Sequence, residues 1–346
     1  MLVIMEKNST AEQCTAVEAA IRRMGFVPLP VPGRSRTAIC VTGNKSPIPP
    51  TDLAYLPGVL ECISVTKPYK LVSREVHDED TIVKVGDAEI GGPTPVIIAG
   101  PCSVETEART LEVAQAVKAA GANMFRAGAF KPRTNPYEFQ GLGLEALQTL
   151  QVVRDETGLP IVSEVLDPES VDAMLPYVDV LQVGTRNMQN FSLLKRLAQV
   201  GRPVLLKRGM SSTLQEWLMA AEYLLAGGNH QVILCERGIR TFSDHARNTL
   251  DLNVVPLVRK LSHLPVLVDP SHGVGHRDRV RVMARAGLAA GAQGLLIEAH
   301  VHPDRSYTDA AQTVDIDILR GVKRDMEVLA QMENISPLNA EDRITA

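Results

Sequence analysis

The sequence predicts an α/β protein: a (β/α)8 barrel preceded by a small ferredoxin-like domain. From Pro95 onward, short apolar stretches rich in β-branched residues alternate with helical stretches eight times over roughly 240 residues, which is the size of such a barrel. Residues 1–66 carry a separate βαββαβ pattern, which is the order of a ferredoxin-like domain. The first barrel strand is not followed by the Gly-x-Gly-x-x-Gly turn typical of open doubly wound sheets.

Composition narrows the class of protein further. The 346 residues can hold one large and one small domain, and the net charge of −4 argues against a general nucleic-acid binder. No apolar stretch has the length of a membrane span, and the first seven residues lack the order of a signal peptide. Five scattered cysteines favour free thiols in a reducing compartment. We therefore expect a cytoplasmic protein without membrane or nucleic-acid partners.

The first domain is predicted to span residues 1–66. Its expected elements, in order, are a strand at 2–6, a helix at 10–24 capped by Ser9 or Thr10, strands at 26–31 and 36–42, a short helix at 51–56 and a strand at 61–66. Small domains of this kind often bind amino acids or pair with copies of themselves. The alternative is a packing or oligomerisation module that binds no ligand.

Residues 67–94 are predicted to form a linker followed by a hairpin. The linker, residues 67–80, is polar and charged. Residues 81–90 alternate between apolar and polar and contain Gly86-Asp87, which predicts a hairpin that closes the bottom of the barrel.

The barrel is predicted to span residues 95–335, with a C-terminal tail at 336–346. Its strands are expected at 95–101, 124–130, 160–166, 179–184, 203–209, 231–237, 265–270 and 294–299. Its helices are expected near 105–120, 143–157, 168–175, 190–199, 213–226, 247–261, 277–290 and 314–332.

In a barrel the chemistry lies where the strands end, and two clusters of side chains occur there. Cys102, His272, Glu298 and Asp309 follow strands 1, 7 and 8, and strand 8 closes beside strand 1. A thiolate, an imidazole and two carboxylates form a plausible site for a divalent transition metal. Three other histidines compete for the same role by spacing: His276, His300 and His302.

The second cluster consists of cations that follow strands 2, 4, 5 and 6. Its members are Arg126, Lys131, Arg133, Arg186, Lys207, Arg208, Arg237 and Arg240. Packed cations repel one another unless anions neutralise them, and arginine suits phosphate and carboxylate oxygens. The cluster therefore predicts highly anionic ligands with two phosphate groups. The alternative for one or two of the eight is an ion pair with an acid such as Glu164 or Glu236.

Six short motifs resemble one known family. They are IAGPCSVE at 98–105, KPRT at 131–134, RNMQN at 186–190, LKRG at 206–209, CERG at 235–238 and DPSH at 269–272. In this order the chain resembles the 3-deoxy-D-arabino-heptulosonate 7-phosphate (DAHP) synthases, type Iβ, whose N-terminal ferredoxin-like domain is regulatory. The resemblance is strong from about residue 67 to 332 and weak over the first 66.

The resemblance implies a metal-dependent transferase of the shikimate pathway to aromatic amino acids. The reaction condenses phosphoenolpyruvate with erythrose 4-phosphate and water, giving DAHP and phosphate. The implied ligands of one Mn²⁺, Fe²⁺, Zn²⁺ or Co²⁺ ion are Cys102, His272, Glu298 and Asp309. The implied phosphoenolpyruvate-binding residues are Arg126, Lys131, Arg186, Lys207 and Arg237. Arg133 and Thr134 would hold the aldose phosphate, while Lys131, Glu164 and His272 are the catalytic candidates. The family also implies a homotetramer and feedback inhibition by tyrosine or phenylalanine.

Two other functions compete with this one. The sister enzyme makes 3-deoxy-D-manno-octulosonate 8-phosphate (KDO8P) from arabinose 5-phosphate, but it typically carries Lys-Ala-Asn-Arg-Ser where this chain has KPRT at 131–134. A non-catalytic amino-acid sensor would have no need of the intact Cys/His/Glu/Asp set. The chain departs from the family pattern at Thr185, where alanine is usual, and at 298–303 (EAHVHP), where Glu-x-His-Pro is usual.

Overall fold

The computed structural model describes residues 1–33, 36–43, 48–63, 68–133 and 135–331. The chain divides into two compact units, and the predicted fold class is confirmed in both. The first comprises Met1–Asp80 with Leu261–His263, and the second comprises the rest of the chain. The first unit thus runs past the predicted domain boundary at residue 66, because residues 68–80 lie among its contacts: Ser73 pairs with Ser262, and Leu71 O accepts from His263. The predicted tail at 336–346 lies outside the described residues.

The described part of the first unit contains a four-stranded antiparallel sheet and one α-helix. The strands are β1 (Leu2–Met5), β2 (Val27–Pro32), β3 (Thr37–Thr42) and β4 (Val59–Ile63), in the order β2-β3-β1-β4, and the helix is α1 (Ala11–Arg23). Thr10 caps α1 in a reciprocal capping box with Gln13. The helix predicted at 51–56 is instead a 3₁₀ turn at Pro50–Asp52, and a left-handed Gly58 follows it.

The second unit begins with the hairpin of β5 (Val83–Val85) and β6 (Ala88–Ile90). Val83, Val85, Ala88 and Ile90 pack in one apolar cluster with inward side chains of the barrel strands, among them Ile98. The hairpin therefore contributes to the core that fills the barrel.

Within the described residues, eight parallel strands close into a barrel. They are β7 (Val96–Gly100), β8 (Met124–Arg126), β9 (Ile161–Val165), β10 (Val180–Val183), β11 (Val204–Lys207), β12 (Val232–Glu236), β13 (Val266–Val268) and β14 (Gly294–Glu298). Every residue of these strands is buried except Glu164, which is partly exposed. Burial on both faces explains why the strands appear in the sequence as continuous apolar runs.

Helices follow the strands. They are α2 (Glu107–Ala119), α3 (Leu144–Thr157), α4 (Val171–Met174), α5 (Phe191–Leu197), α6 (Leu214–Ala226), α7 (Val254–Leu261), α8 (Pro270–Val274), α9 (Arg277–Ala289) and α10 (Ile316–Ala330). Among the described helices, none is long and apolar enough to cross a membrane.

Two elements differ from the sequence prediction in ways that shape the barrel mouth. The helix predicted from residue 247 begins only at Val254, because the backbone N–H groups of Arg247 and Asn248 bond instead to the carbonyls of Val274 and Gly273. The short helix α8 was not predicted as a helix. It begins where Asp269 accepts from the His272 N–H and Pro270 occupies the first turn, both of which favour a helix start.

Gly100 allows the first two barrel strands to approach each other. Its φ is +154°, and a Cβ built there would lie 2.2 Å from the Arg126 carbonyl oxygen and 2.9 Å from the Phe125 ring. Any side chain at this position would therefore push β7 away from β8, two residues before Cys102.

We predict that Gly100→Ala destabilises the barrel by about 3 kcal/mol, because it overpacks a backbone contact. Trp217 is the only tryptophan and is fully buried in the barrel unit, so denaturant unfolding followed by its fluorescence measures this unit alone. Gly201→Ala is the control, because a Cβ there meets nothing within 4 Å. Equal midpoints for the two variants would contradict the prediction.

Candidate metal centre and anion-binding cavity

The register between the last and first barrel strands brings distant residues together. Glu298 at the end of β14 pairs with Gly100 at the end of β7, two residues before Cys102. Cys102, His272, Glu298 and Asp309 each offer one ligand atom, and these atoms all lie within 4.8 Å of one another. The four residues predicted as a metal group therefore converge at the C-terminal end of the barrel.

Cys102 and Asp309 meet on the side of the group nearest Lys131. The Cys102 thiol donates to Asp309 Oδ2 at 3.0 Å, and Lys131 Nζ contacts both the sulfur and, at 2.9 Å, the same carboxylate oxygen. Burial, with the charge of Glu298, raises the pKa of Cys102 to about 12. Burial also acts to raise the pKa of Asp309, but the Lys131 ammonium, together with the hydrogen bonds from Cys102 and Lys131, outweighs it and holds that pKa far below its usual range.

Asp309 has a left-handed backbone, with φ of +55°. Aspartate tolerates this conformation better than most residues, at a cost of about 1 kcal/mol or more. Two further contacts hold the residue: Arg247 Nη1 lies 3.2 Å from the side-chain Oδ1, and Thr313 Oγ1 donates to the backbone carbonyl of Asp309 at 3.0 Å. These contacts hold the carboxylate toward Cys102.

His272 is oriented by Asp269. Its Nδ1 lies 2.7 Å from Asp269 Oδ2, and its backbone N–H donates to Oδ1 at 2.9 Å. Burial lowers the pKa of His272, so the ring is neutral, with its Nδ1–H donating to the Asp269 carboxylate and the Nε2 lone pair directed into the group. A carboxylate behind the imidazole is the arrangement that orients metal-binding histidines. Lys207 Nζ, 2.7 Å from Asp269 Oδ2, balances the buried charge.

Glu298 is fully buried, and its two carboxylate oxygens contact several partners. Its Oε1 lies 3.1 Å from Arg126 Nη1 and 3.3 Å from His272 Nε2, while its Oε2 accepts from Gln312 Nε2 at 2.6 Å. Burial would raise the pKa of this carboxyl, but the nearby Arg126 and Lys131 cations act to lower it, and the net shift is downward, so the group is a carboxylate.

The three competing histidines have other positions. His300 is fully buried, its Nε2 lies 3.5 Å from Glu105 Oε2, and its Nδ1 accepts from the His302 N–H at 2.8 Å. His276 precedes α9 and His302 precedes a 3₁₀ turn. Within the described residues, the group within metal-binding distance contains His272 and not these three.

A cavity of about 450 Å³ opens beside the metal group. Three residues of the site, Lys131, His272 and Asp309, form part of its wall. The cations that line it are Lys131, Arg133, Arg186, Lys207, Arg237, Arg240 and Arg247. Lys131, Lys207, His272 and Glu164 also line a second cavity of about 30 Å³ that reaches Cys102 and Arg126. Cations thus surround a space that leads to the metal group.

Seven of the eight cations in the predicted cluster line one of these two cavities, and Arg208 does not. Arg208 lies 3.0 Å from Glu236 and 2.9 Å from Asp251, so for this residue the ion-pair alternative is confirmed. Ion pairs are more common than the one or two expected, because Arg126, Lys131, Arg133 and Lys207 also pair with acids. Arg133 lines the cavity while also pairing with Glu138. Thr134, the predicted partner of Arg133, lies outside the described residues.

Glu164 lies on the cavity wall at the end of β9. Gln182 Nε2 donates to its Oε2 at 3.1 Å. A Cβ at Gly184 would lie 1.9 Å from Glu164 Oε1, so the missing side chain at position 184 makes room for this carboxylate. Glu164 therefore has one oxygen bound to an amide and the other beside a glycine.

Three residues around the site have roles that the sequence analysis did not assign: Asp269, Arg247 and Gln312. Asp269 had a usable signal, because an Asp-Pro sequence three residues before a histidine predicts a capped helix start with the two side chains close together. Arg247 lies in the loop after β12 and Gln312 in the loop after β14, each many residues along the chain from the end of its strand. No pattern in the sequence marks either one.

The donor set fits a divalent transition ion. It combines a sulfur, a neutral imidazole nitrogen and two carboxylate oxygens, the ligand types that Zn²⁺, Fe²⁺, Co²⁺ and Mn²⁺ accept. A bound cation would also displace the proton that burial otherwise keeps on Cys102, since coordinated thiols are deprotonated. The group is therefore a possible metal site with an open side toward the cavity.

Family models match both parts of the chain. The DAHP synthetase I family matches residues 74–334, and the DAHP synthase ferredoxin-like domain matches residues 1–67. Together these matches span almost all of the chain.

Individual proteins agree with the family models. Phospho-2-dehydro-3-deoxyheptonate aldolase of Thermotoga maritima is 42% identical over 330 residues, covering 95% of this chain and 98% of that protein. The crystal structure of this DAHP synthase matches with a TM-score of 0.76 at 41% identity, covering 95% of this chain and 96% of that one. A 2-dehydro-3-deoxyphosphooctonate aldolase of Koribacter versatilis is 33% identical, over 69% of this chain and 92% of that protein. This chain therefore belongs to the DAHP synthetase I family and carries the ferredoxin-like domain of DAHP synthases.

Proposed function

We propose that this protein is a DAHP synthase, which condenses phosphoenolpyruvate with erythrose 4-phosphate and water to give DAHP and phosphate. The observation that carries the proposal is the metal group on the wall of a cation-lined cavity, in a chain of this family. The cavity suits two anionic substrates, and the metal group lies where one of them can react. The reaction is the first step of the shikimate pathway.

The cations divide into two sets in this proposal. Phosphoenolpyruvate is held by Arg126, Lys131, Arg186, Lys207 and Arg237, which line the two cavities. Arg133, with Thr134, holds the phosphate of the aldose. Two mutually repelling anions meet only if cations neutralise both, so much of the catalysis comes from positioning and charge compensation.

The chemistry requires one new carbon–carbon bond and the loss of phosphate. A divalent cation on Cys102, His272, Glu298 and Asp309 supplies a Lewis acid for the aldehyde oxygen. C3 of phosphoenolpyruvate bonds to the aldehyde carbon, water adds at C2, and phosphate leaves as the C2–O bond to it breaks. Glu164 is the proposed base for that water, and Lys131 the proton donor to the new alkoxide.

Lys131 carries the proton that this role requires. Burial acts to lower its pKa, but the Glu298 and Asp309 carboxylates and the hydrogen bond to the Cys102 sulfur act to raise it, and the net shift is upward. The ammonium is therefore fully protonated at neutral pH. Asp269 contributes by holding the imidazole of His272 in its neutral, metal-binding tautomer.

The four-carbon aldehyde is favoured over arabinose 5-phosphate. The relative at 42% identity is a deoxyheptonate aldolase, whereas the deoxyoctonate aldolase reported above is 33% identical and covers only 69% of this chain. The KPRT sequence at 131–134 supports the same choice. The convergence of all four proposed metal-binding side chains argues against a non-catalytic sensor.

We predict phosphate release from phosphoenolpyruvate that depends on erythrose 4-phosphate and stops when a chelator removes the metal. The measurement compares erythrose 4-phosphate with arabinose 5-phosphate in one assay, with Mn²⁺, Fe²⁺, Zn²⁺ and Co²⁺ supplied in turn. Faster turnover of arabinose 5-phosphate would identify the sister activity instead. No release with either aldose and any of the four metals would support the sensor.

We predict that Cys102→Ala and His272→Ala each abolish turnover while the barrel stays folded, as judged from Trp217 fluorescence. Each change removes one ligand of the metal group. Cys235→Ala is the matched control, because Cys235 is equally buried but belongs to the apolar core of the barrel. If the Cys102→Ala variant were as active as Cys235→Ala, the Cys102 thiol would have no role in the mechanism.

We further propose that residues 1–66 make the enzyme sensitive to tyrosine or phenylalanine and that it assembles as a homotetramer. The support is the match of residues 1–67 to the DAHP synthase ferredoxin-like domain, together with the family resemblance.

We predict that removing residues 1–66 abolishes inhibition by these amino acids and leaves catalysis measurable. The solved structure of a truncated form of the Thermotoga maritima enzyme matches over 76% of this chain and 96% of that one, at a TM-score of 0.71. The measurement is an inhibition curve for the full and the shortened chain. An unchanged curve would refute the regulatory role.

A further inference from the structure

Gln312 is a buried amide that lies between two carboxylates of the metal group. We propose that Gln312, together with Arg247, is a positioning residue that orients Glu298 and Asp309 toward the metal ion. The inference rests on the metal site of the proposed function and extends it to residues that do not bind the ion themselves.

The contacts form a continuous bridge. Gln312 is 2% exposed, and its Nε2 donates to Glu298 Oε2 at 2.6 Å. Its Oε1 accepts from Arg247 Nη1 at 2.8 Å, and the same Nη1 lies 3.2 Å from Asp309 Oδ1. One glutamine and one arginine thus connect the two carboxylates.

The chemistry of the neighbours fixes which way the amide points. A guanidinium can only donate hydrogen bonds, and an ionised carboxylate can only accept them. The amide oxygen must therefore face Arg247, and the NH₂ group must face Glu298. The reverse orientation would place two donors together at Arg247 and two acceptors together at the buried Glu298.

This orientation determines which oxygen of Glu298 is available. Oε2 is occupied by Gln312, whereas Oε1 lies 3.3 Å from His272 Nε2, the nitrogen left free by Asp269. Rotation of the carboxylate would exchange the two oxygens and break the short hydrogen bond to Gln312. Gln312 therefore keeps Oε1 on the metal side.

A neutral donor suits this position better than a charged one. Glu298 already faces Arg126, and Asp309 already faces Lys131. Another cation in contact with Glu298 would compete directly with the metal ion, whereas an amide orients the carboxylate without adding charge. Arg247 is partly exposed and lines the large cavity. Its positive charge therefore acts on the metal group from the side where the substrates are proposed to bind.

The test is the affinity of the full-length, metal-free protein for Co²⁺, measured by competition with a chromophoric chelator and by the near-ultraviolet thiolate-to-Co²⁺ absorption. For Gln312→Leu we expect 10- to 100-fold weaker binding, roughly the usual effect of removing a residue that orients a ligand. Arg247→Met, at a more exposed site, is expected to weaken binding in the same direction, though less.

Gln293→Leu is the matched control. Gln293 is also buried and flanks the other end of β14, where it donates to Gly91 O and accepts from Val266 N, both at 3.2 Å. Its replacement should leave Co²⁺ affinity unchanged. Trp217 fluorescence verifies that every variant is folded.

The outcomes separate this inference from the proposed function. If the unaltered protein takes up no Co²⁺ with thiolate absorption, the metal site itself is wrong. If it does, and folded Gln312→Leu and Arg247→Met both bind within twofold of it, the positioning role is refuted. Equal weakening by Gln293→Leu would refute it as well, because the effect would then be general destabilisation.

Discussion

The closure of β14 on β7 is the constraint on which the candidate site depends. Five consecutive pairs, from Gly294 with Val96 to Glu298 with Gly100, fix the register. A slip of one residue would turn Glu298 to the opposite face of the strand, since side chains alternate along it. Gly100 matters for the same reason, because its missing side chain lets Arg126 approach and pair with Glu298.

Charge compensation is the second requirement at this end of the barrel. The buried carboxylates of Glu298 and Asp269 each face a cation, Arg126 and Lys207 respectively, and the partly buried Asp309 faces Lys131. Buried charges are stable only when paired and hydrogen-bonded. The same cations border the space where anionic substrates are proposed to bind. One set of side chains can therefore serve both the stability of the barrel end and the binding of phosphate and carboxylate groups.

The fold was predictable because its strands are buried on both faces and so appear in the sequence as continuous apolar runs. The four-residue metal group was predictable because three of its members lie on or within a few residues of strand ends. The functional side chains of a barrel are found at these ends. Boundaries set by tertiary contacts were not predictable: the delayed start of α7 depends on backbone hydrogen bonds from Arg247 and Asn248 to the end of α8. The role of Gln312 was not predictable for a related reason, because it depends on the conformation of the loop that carries this residue. Arg208 looked like its neighbours in sequence, yet Glu236 and Asp251 bind it away from the cavity.

The central claim is that Cys102 supplies a sulfur ligand to a divalent ion held also by His272, Glu298 and Asp309. X-ray absorption at the zinc edge of the Zn²⁺-loaded protein tests it most directly. The account predicts one sulfur at roughly 2.3 Å, with the remaining ligands nitrogen or oxygen at roughly 2.0–2.2 Å. A shell of nitrogen and oxygen alone, unchanged in Cys102→Ala, would contradict it.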